Sequence, residues 1–192
     1  MSIHIVIHRN DATAVHMLVK KWLKLGDETK VRYYKQVGDS NQDTSDDEQS
    51  NFKSDDFLLV LQSPDQDIMM QENPRTLCVD ATHGLTGYGY FLLSIMVIDK
   101  HGHGLPVAWA ITSRENQTTW KLFAKSLRTG SQSAKPEVMM SDDDNSSWNG
   151  LIVVWPSLKH KLLCHWHIKK NVKNHCVGSK CKVQVNVSRC SC

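Results

Sequence analysis

No aspartate or glutamate follows Asp144 in this 192-residue chain, although 20 acidic residues lie up to that point. The final stretch carries Lys159, Lys161, Lys169, Lys170, Lys173, Lys180, Lys182 and Arg189, a local charge of +8. Residues 1–144 sum to −5 (15 basic minus 20 acidic). That split favours contact between the C-terminal part and a polyanion, although an ordinary solvated basic face has the same composition. Long apolar runs are missing too. The longest, Phe91 to Ile98 with Ser94 inside it, is too short to span a bilayer, so no membrane partner is expected. The first eight residues lack a basic n-region followed by a long apolar segment, which argues against secretion. Cysteine is scarce until late: five of the six (Cys164, Cys176, Cys181, Cys190, Cys192) fall in the last 29 residues. Without a secretory signal a disulfide framework is disfavoured, leaving metal ligation or free thiols. The spacing C-x4-C-x8-C-x-C from Cys176 matches no zinc pattern and favours loose thiols.

What is present organises into four parts. Residues 1–37 read as an N-terminal helical segment, with Asp11 capping a helix over Ala12 to Leu25 and Val15, Leu18, Val19, Trp22 and Leu23 on one side. Residues 38–56 are polar and acidic and read as a linker. Residues 57–175 form the main domain, and 176–192 a basic, cysteine-containing tail expected to be disordered. Within the domain, Phe57 to Gln62 is a short strand, followed by a helical segment around Gln66 to Gln71. Strands are then predicted over Thr76–Asp80, Tyr88–Ile98, Leu105–Thr112, Glu137–Ser141 and His160–Cys164. The turn from Asp99 to Gly104 makes the second and third of these a hairpin. Helices are predicted over Glu115–Arg128, ended by Thr129-Gly130-Ser131, and over Trp148–Trp155 and His165–His175.

The chemistry concentrates where strands end. Thr76-Leu77-Cys78-Val79-Asp80 and Val138-Met139-Met140-Ser141-Asp142 are apolar runs that each finish on a carboxylate, 62 positions apart (142 − 80). Such carboxylates suit magnesium, which takes carboxylate oxygens plus waters and phosphate oxygens. Either residue has a plainer role open to it, Asp80 in a turn and Asp142 as the N-cap of the next helix. Clustered carboxylates at Asp142-Asp143-Asp144 repel one another unless a cation or solvent relieves them, which favours the metal role. Cys164 and His167, in Cys164-His165-Trp166-His167, have C-x2-H spacing compatible with a shared soft metal such as zinc, and His175 and Cys176 follow near enough to complete four ligands. The other reading is a buried cysteine with a histidine bonded to backbone or to a catalytic carboxylate. Glu115 reads as an acidic residue in the first turn of a helix.

The stretches LCVDATHGLTGYGYFLLSIMVIDKHGHGLPVAWAITSRENQTTW, VMMSDDDNSSW and HKLLCHWHIKKNVKN together resemble the Mutator-like (MULE) transposase domain. Cellular relatives of that family carry the domain beside a SWIM zinc finger. The resemblance, over roughly 57 to 174, implies an α/β fold: a ribonuclease-H-like mixed five-stranded sheet with flanking helices, in which the first and fourth strands are neighbours. It implies a D-D-E triad using Mg2+ or Mn2+ for DNA cleavage and strand transfer. By position, Asp80 and Asp142 match the first two carboxylates, and Cys164 and His167 match the family's C-x2-H. The third, a Glu beyond the C-x2-H, has no counterpart here, so an inactive fragment, incomplete at its C-terminus, is expected. DNA is the expected partner, through Lys159, Lys161, Lys169, Lys170 and Lys173. No small-molecule substrate is expected, an oligomer is compatible with the family, and its members imply a nuclear location. The same fold without catalysis, serving as a DNA- or protein-binding module, is the alternative.

Overall fold

Period-two alternation of apolar residues becomes a seven-stranded mixed sheet in the computed structural model, which describes residues 11–39, 53–84 and 87–175. The strands are β1 (Val31–Lys35), β2 (Leu58–Leu61), β3 (Thr76–Thr82), β4 (Phe91–Ile98), β5 (Gly104–Thr112), β6 (Val138–Ser141) and β7 (His160–Leu163). They lie in the order β1-β2-β5-β4-β3-β6-β7, with β3, β6 and β7 parallel and every other pairing antiparallel. The helices are α1 (Asp11–Leu23), α2 (Pro64–Glu72), α3 (Gln117–Lys125), α4 (Thr129–Ser133), α5 (Asn145–Val154) and α6 (His165–His175).

Seven strands replace the five expected. The two additions, β1 and β2, extend the sheet beyond β5. Val31–Lys35 escaped notice because VRYYK is short and charged along its length, and it is a strand only because Leu58–Leu61 pairs with it. The N-terminal part is therefore not purely helical. Asp56, expected to end a polar linker, is buried at 2% exposure. Its carboxylate accepts from Arg114 Nε at 2.7 Å and from the Lys53 amide at 2.8 Å. The rest of that linker (40–52) and the tail 176–192 lie outside the described residues.

The β4–β5 hairpin closes through its own turn. Asp99 Oδ1 accepts from the His101 and His103 amides, each at 2.8 Å, and Gly102 takes the left-handed φ of +85° that the turn needs. Parallel pairing cannot be made by so short a link, so the chain crosses from β5 to β6 through α3 and α4, and from β6 to β7 through α5. The helix-covered face of the sheet holds the main core: Leu77, Val79, Leu93, Ile95 and Met139 pack with Trp120, Phe123, Leu151 and Trp155. A second cluster on the added strands, Val31, Phe57 and Leu59, is closed by Val19 of α1. Inside the main core, Gln62 donates to Ser131 Oγ at 2.7 Å and accepts from the Arg128 amide at 2.9 Å. Trp155 Nε1 donates to the Ser131 carbonyl at 3.0 Å. These bonds satisfy buried polar groups and hold residues 129–133 as a short helix, where a simple helix end was predicted.

Candidate functional site

The register of the parallel strands builds the site. Cys78 pairs with Met140 across β3 and β6, an offset of 62, so the same offset sets Asp80 level with Asp142 just past the last paired residues. Ser141 pairs with Leu163 across β6 and β7, an offset of 22, which carries the row on from Asp142 to Cys164. The Cys164 amide fixes that step by donating to the Ser141 carbonyl at 2.7 Å. Leu77, Val79 and Met139 point into the main core. Strand alternation therefore turns Asp80 to the opposite face, together with Met140 and the position that Asp142 continues. Both aspartates are partly exposed. Asp142 follows the end of β6, whereas Asp80, expected to end its strand, lies inside β3, paired with Ser94 and two residues before the strand ends at Thr82.

His167 returns to this row from the first turn of α6. The Cys164 carbonyl accepts the helical bond from the Ile168 amide at 3.1 Å, so the turn after Cys164 carries His167 round. Its Nε2 sits 3.6 Å from Asp80 Oδ1, and its Nδ1 is buried without a hydrogen-bond partner among the described residues. Thr82 Oγ1 donates to Asp80 Oδ2 at 3.2 Å. Cys164 is a partly buried free thiol. His175 and Cys176, the residues that would complete a zinc site, contribute no described side chains. Among the described residues, no group of three or more His, Cys, Asp or Glu is arranged to hold a metal ion.

The helix N-cap that sequence spacing allowed Asp142 belongs to Asp144. Asp144 Oδ2 accepts from the Ser146 amide at 2.8 Å at the start of α5. Burial works against its charged form, but the hydroxyl and amide of Ser146, the Asn145 amide and Lys161 outweigh it and hold the carboxyl below its usual range. Asp142 is left at the exit of β6, where Oδ1 accepts from the Asp144 amide at 3.3 Å.

Glu115 lies outside the helix to which it was assigned. Asn116 caps α3, so Glu115 precedes the helix and turns inward. It stands 3.7 Å from His83 Nε2, and Oε1 accepts from Trp120 Nε1 and Ser146 Oγ, each at 3.4 Å. Burial raises its pKa, the Trp120 bond and His83 oppose the rise, and the charges of Asp144 and Asp142 add to it. Glu115 is therefore an acidic neighbour of the Asp142 end of the row. Nothing in its local sequence separates it from a first-turn acid; only the approach of α3 to α5 brings Ser146 to it.

Of the basic residues, Lys159, Lys169, Lys170 and Lys173 are exposed. Lys161 is turned inward, donating to the Asp144 carbonyl at 2.7 Å and Asn145 Oδ1 at 2.9 Å.

The family model of the MULE transposase domain matches residues 76–171, half of the chain. The chain belongs to the MULE transposase domain family. The matched span of the MULE domain runs from the start of β3 into α6, and so contains Asp80, Asp142, Cys164, His167 and Glu115. It excludes β1, the strand not foreseen, and β2, foreseen as the short strand Phe57 to Gln62. No curated protein matches the chain. No described helix is long and apolar enough to cross a membrane.

Proposed function

We propose that this chain carries the first two carboxylates of a Mutator-like DNA transposase core, binds DNA, and lacks strand-transfer activity in the form 1–192. The observation that carries this is the level placement of Asp80 and Asp142 on adjacent parallel strands within the matched family segment. The order β5-β4-β3-β6-β7 supports a ribonuclease-H-like core, with β1 and β2 as additions to its edge. The donor set fits Mg2+ or Mn2+: two solvent-reached carboxylates leave room for waters and a phosphate oxygen. Such an ion would be held by Asp80 and Asp142 and, when bound, would stabilise charge at a phosphoryl group. In-line displacement with two ions needs further ligands, and among the described residues no group of three or more His, Cys, Asp or Glu is arranged to supply them. His167 belongs in this account to Asp80, orienting it, and zinc shared by Cys164 and His167 is not part of it. Action on DNA would place the protein in the nucleus.

The test is a supercoiled plasmid incubated with the full chain in Mg2+ or Mn2+, alongside a salt titration of DNA affinity. The expected result is salt-sensitive binding without nicking. Metal-dependent nicking that disappears in Asp80→Ala would overturn the inactivity. The exposed Lys159, Lys169 and Lys173 favour a second reading, a non-enzymatic DNA-binding module of the same fold. Its mark is DNA binding that neither divalent ions nor Asp80→Ala changes.

A further inference from the structure

Trp166 has no place in the site described above, yet it is 61% exposed on the first turn of α6. An indole costs apolar surface when left in water, and a helix carrying one outward raises the question of what it meets. Two side chains pack against its ring. Lys170, four residues on, places Nζ 4.8 Å from the ring centroid, a cation–π contact. The His167 imidazole stands edge-on to it, with centroids 4.8 Å apart and planes at 83°. That same imidazole reaches Asp80 at 3.6 Å, so the indole lies one side chain away from the carboxylate row. On the adjoining strand, Leu162 and Leu163 are 51% and 46% exposed.

We propose that Trp166 is a stacking platform for an unpaired nucleobase of DNA held beside Asp80. Charge selects the class of partner, since Lys170 lies over the indole, the exposed Lys169 and Lys173 follow on the same helix, and no acidic residue lies between Asp144 and that helix. The ring selects within that class. A duplex hides its base faces in its own stack, whereas an unpaired base offers a flat apolar face to an aromatic side chain, with lysines on the adjoining phosphates. The assignment rests on the DNA-binding function proposed above and deepens it.

Fluorescence anisotropy of the full chain is the test, comparing a 20-base-pair duplex with the same duplex bearing a single-stranded extension, for the native protein, Trp166→Ala and Trp166→Phe. Losing one stacked base should weaken binding to the extended DNA by roughly 5- to 150-fold. Duplex affinity should change less than about twofold, and Trp166→Phe should keep most of the preference. A 2-aminopurine in the extension should change its fluorescence with the native chain and not with Trp166→Ala. Equal effects of Trp166→Ala on both DNAs, or none on either, would overturn the platform and leave DNA binding standing. Native protein that binds neither DNA would overturn the DNA-binding function itself. Tighter binding of an RNA extension of the same sequence would overturn the assignment to DNA. Loss of self-association in Trp166→Ala at unchanged DNA affinity would assign the face to a protein partner and overturn the platform.

Discussion

Asp142 and Asp144 stand two residues apart; Asp144 caps α5 while the proposed function gives Asp142 a metal ion, so substituting each in turn separates metal binding from helix capping. Asp144→Ala removes the acceptor of the Ser146 amide at the start of α5. Losing such a cap costs about 1 kcal/mol, within a range of about 0.5–2. For a domain of this size each kcal/mol corresponds to roughly 2–4 °C in Tm. Asp144→Asn keeps an acceptor of equal capping strength and should restore most of the loss. Asp142→Asn should leave the metal-free Tm nearly unchanged, because an amide oxygen still accepts from the Asp144 backbone. Added magnesium should show the reverse pattern. At a concentration tenfold above its Kd, an ion bound only by the folded chain adds about 1.4 kcal/mol. That gain should persist in Asp144→Asn and vanish in Asp142→Asn. Differential scanning fluorimetry with and without Mg2+ reads both effects. The capping loss should also depend on pH. The Asp144 pKa is held down in the fold, so its stabilisation is complete above the ordinary carboxylate range. It fades as pH falls through the lowered value, and the gap between native and Asp144→Ala should close in acid. Loss of the magnesium gain in Asp144→Asn, with its retention in Asp142→Asn, would refute the division of roles.

Two further substitutions probe how α3 and α5 hold the site. Gly150→Ala puts a Cβ 2.6 Å from the Gln117 carbonyl oxygen, 2.7 Å from Trp120 Cβ and 3.0 Å from the Lys121 amide. Alanine is a better helix former by about 1 kcal/mol. Here it meets mostly backbone, which does not yield cheaply, so a net loss of roughly 1–2 kcal/mol is expected in urea unfolding; a rise in midpoint would show that the helices part freely. Glu115→Gln should stabilise the chain at neutral pH. Burial raises the Glu115 pKa, so its ionisation opposes folding as pH climbs above the ordinary carboxylate range. The advantage of Gln should therefore grow from acid to neutral pH in thermal melts, and a constant difference would count against it.

Much of the sheet was legible in the sequence, because burying one face of a strand forces period two on its residues. Leu77 and Val79 against Cys78 and Asp80 show this, as does the Asp99 turn that makes β4 and β5 a hairpin. The late basic bias was legible as composition, and the two aspartates were legible as carboxylates following apolar strand residues, although β3 runs two residues past Asp80. The sequence alone did not determine β1, since Val31–Lys35 becomes a strand only by pairing with β2. Nor did it separate the cap from the strand-exit carboxylate, because Asp142 and Asp144 both precede α5 at capping distance. Tertiary structure decided those points. Parallel register set Asp80, Asp142 and Cys164 in one row, the first turn of α6 laid His167 against Asp80, and the packing of α3 on α5 turned Glu115 inward. Spacing along a chain records which face a residue takes. Which other residue it meets depends on strand order and helix crossing, which bring distant segments together.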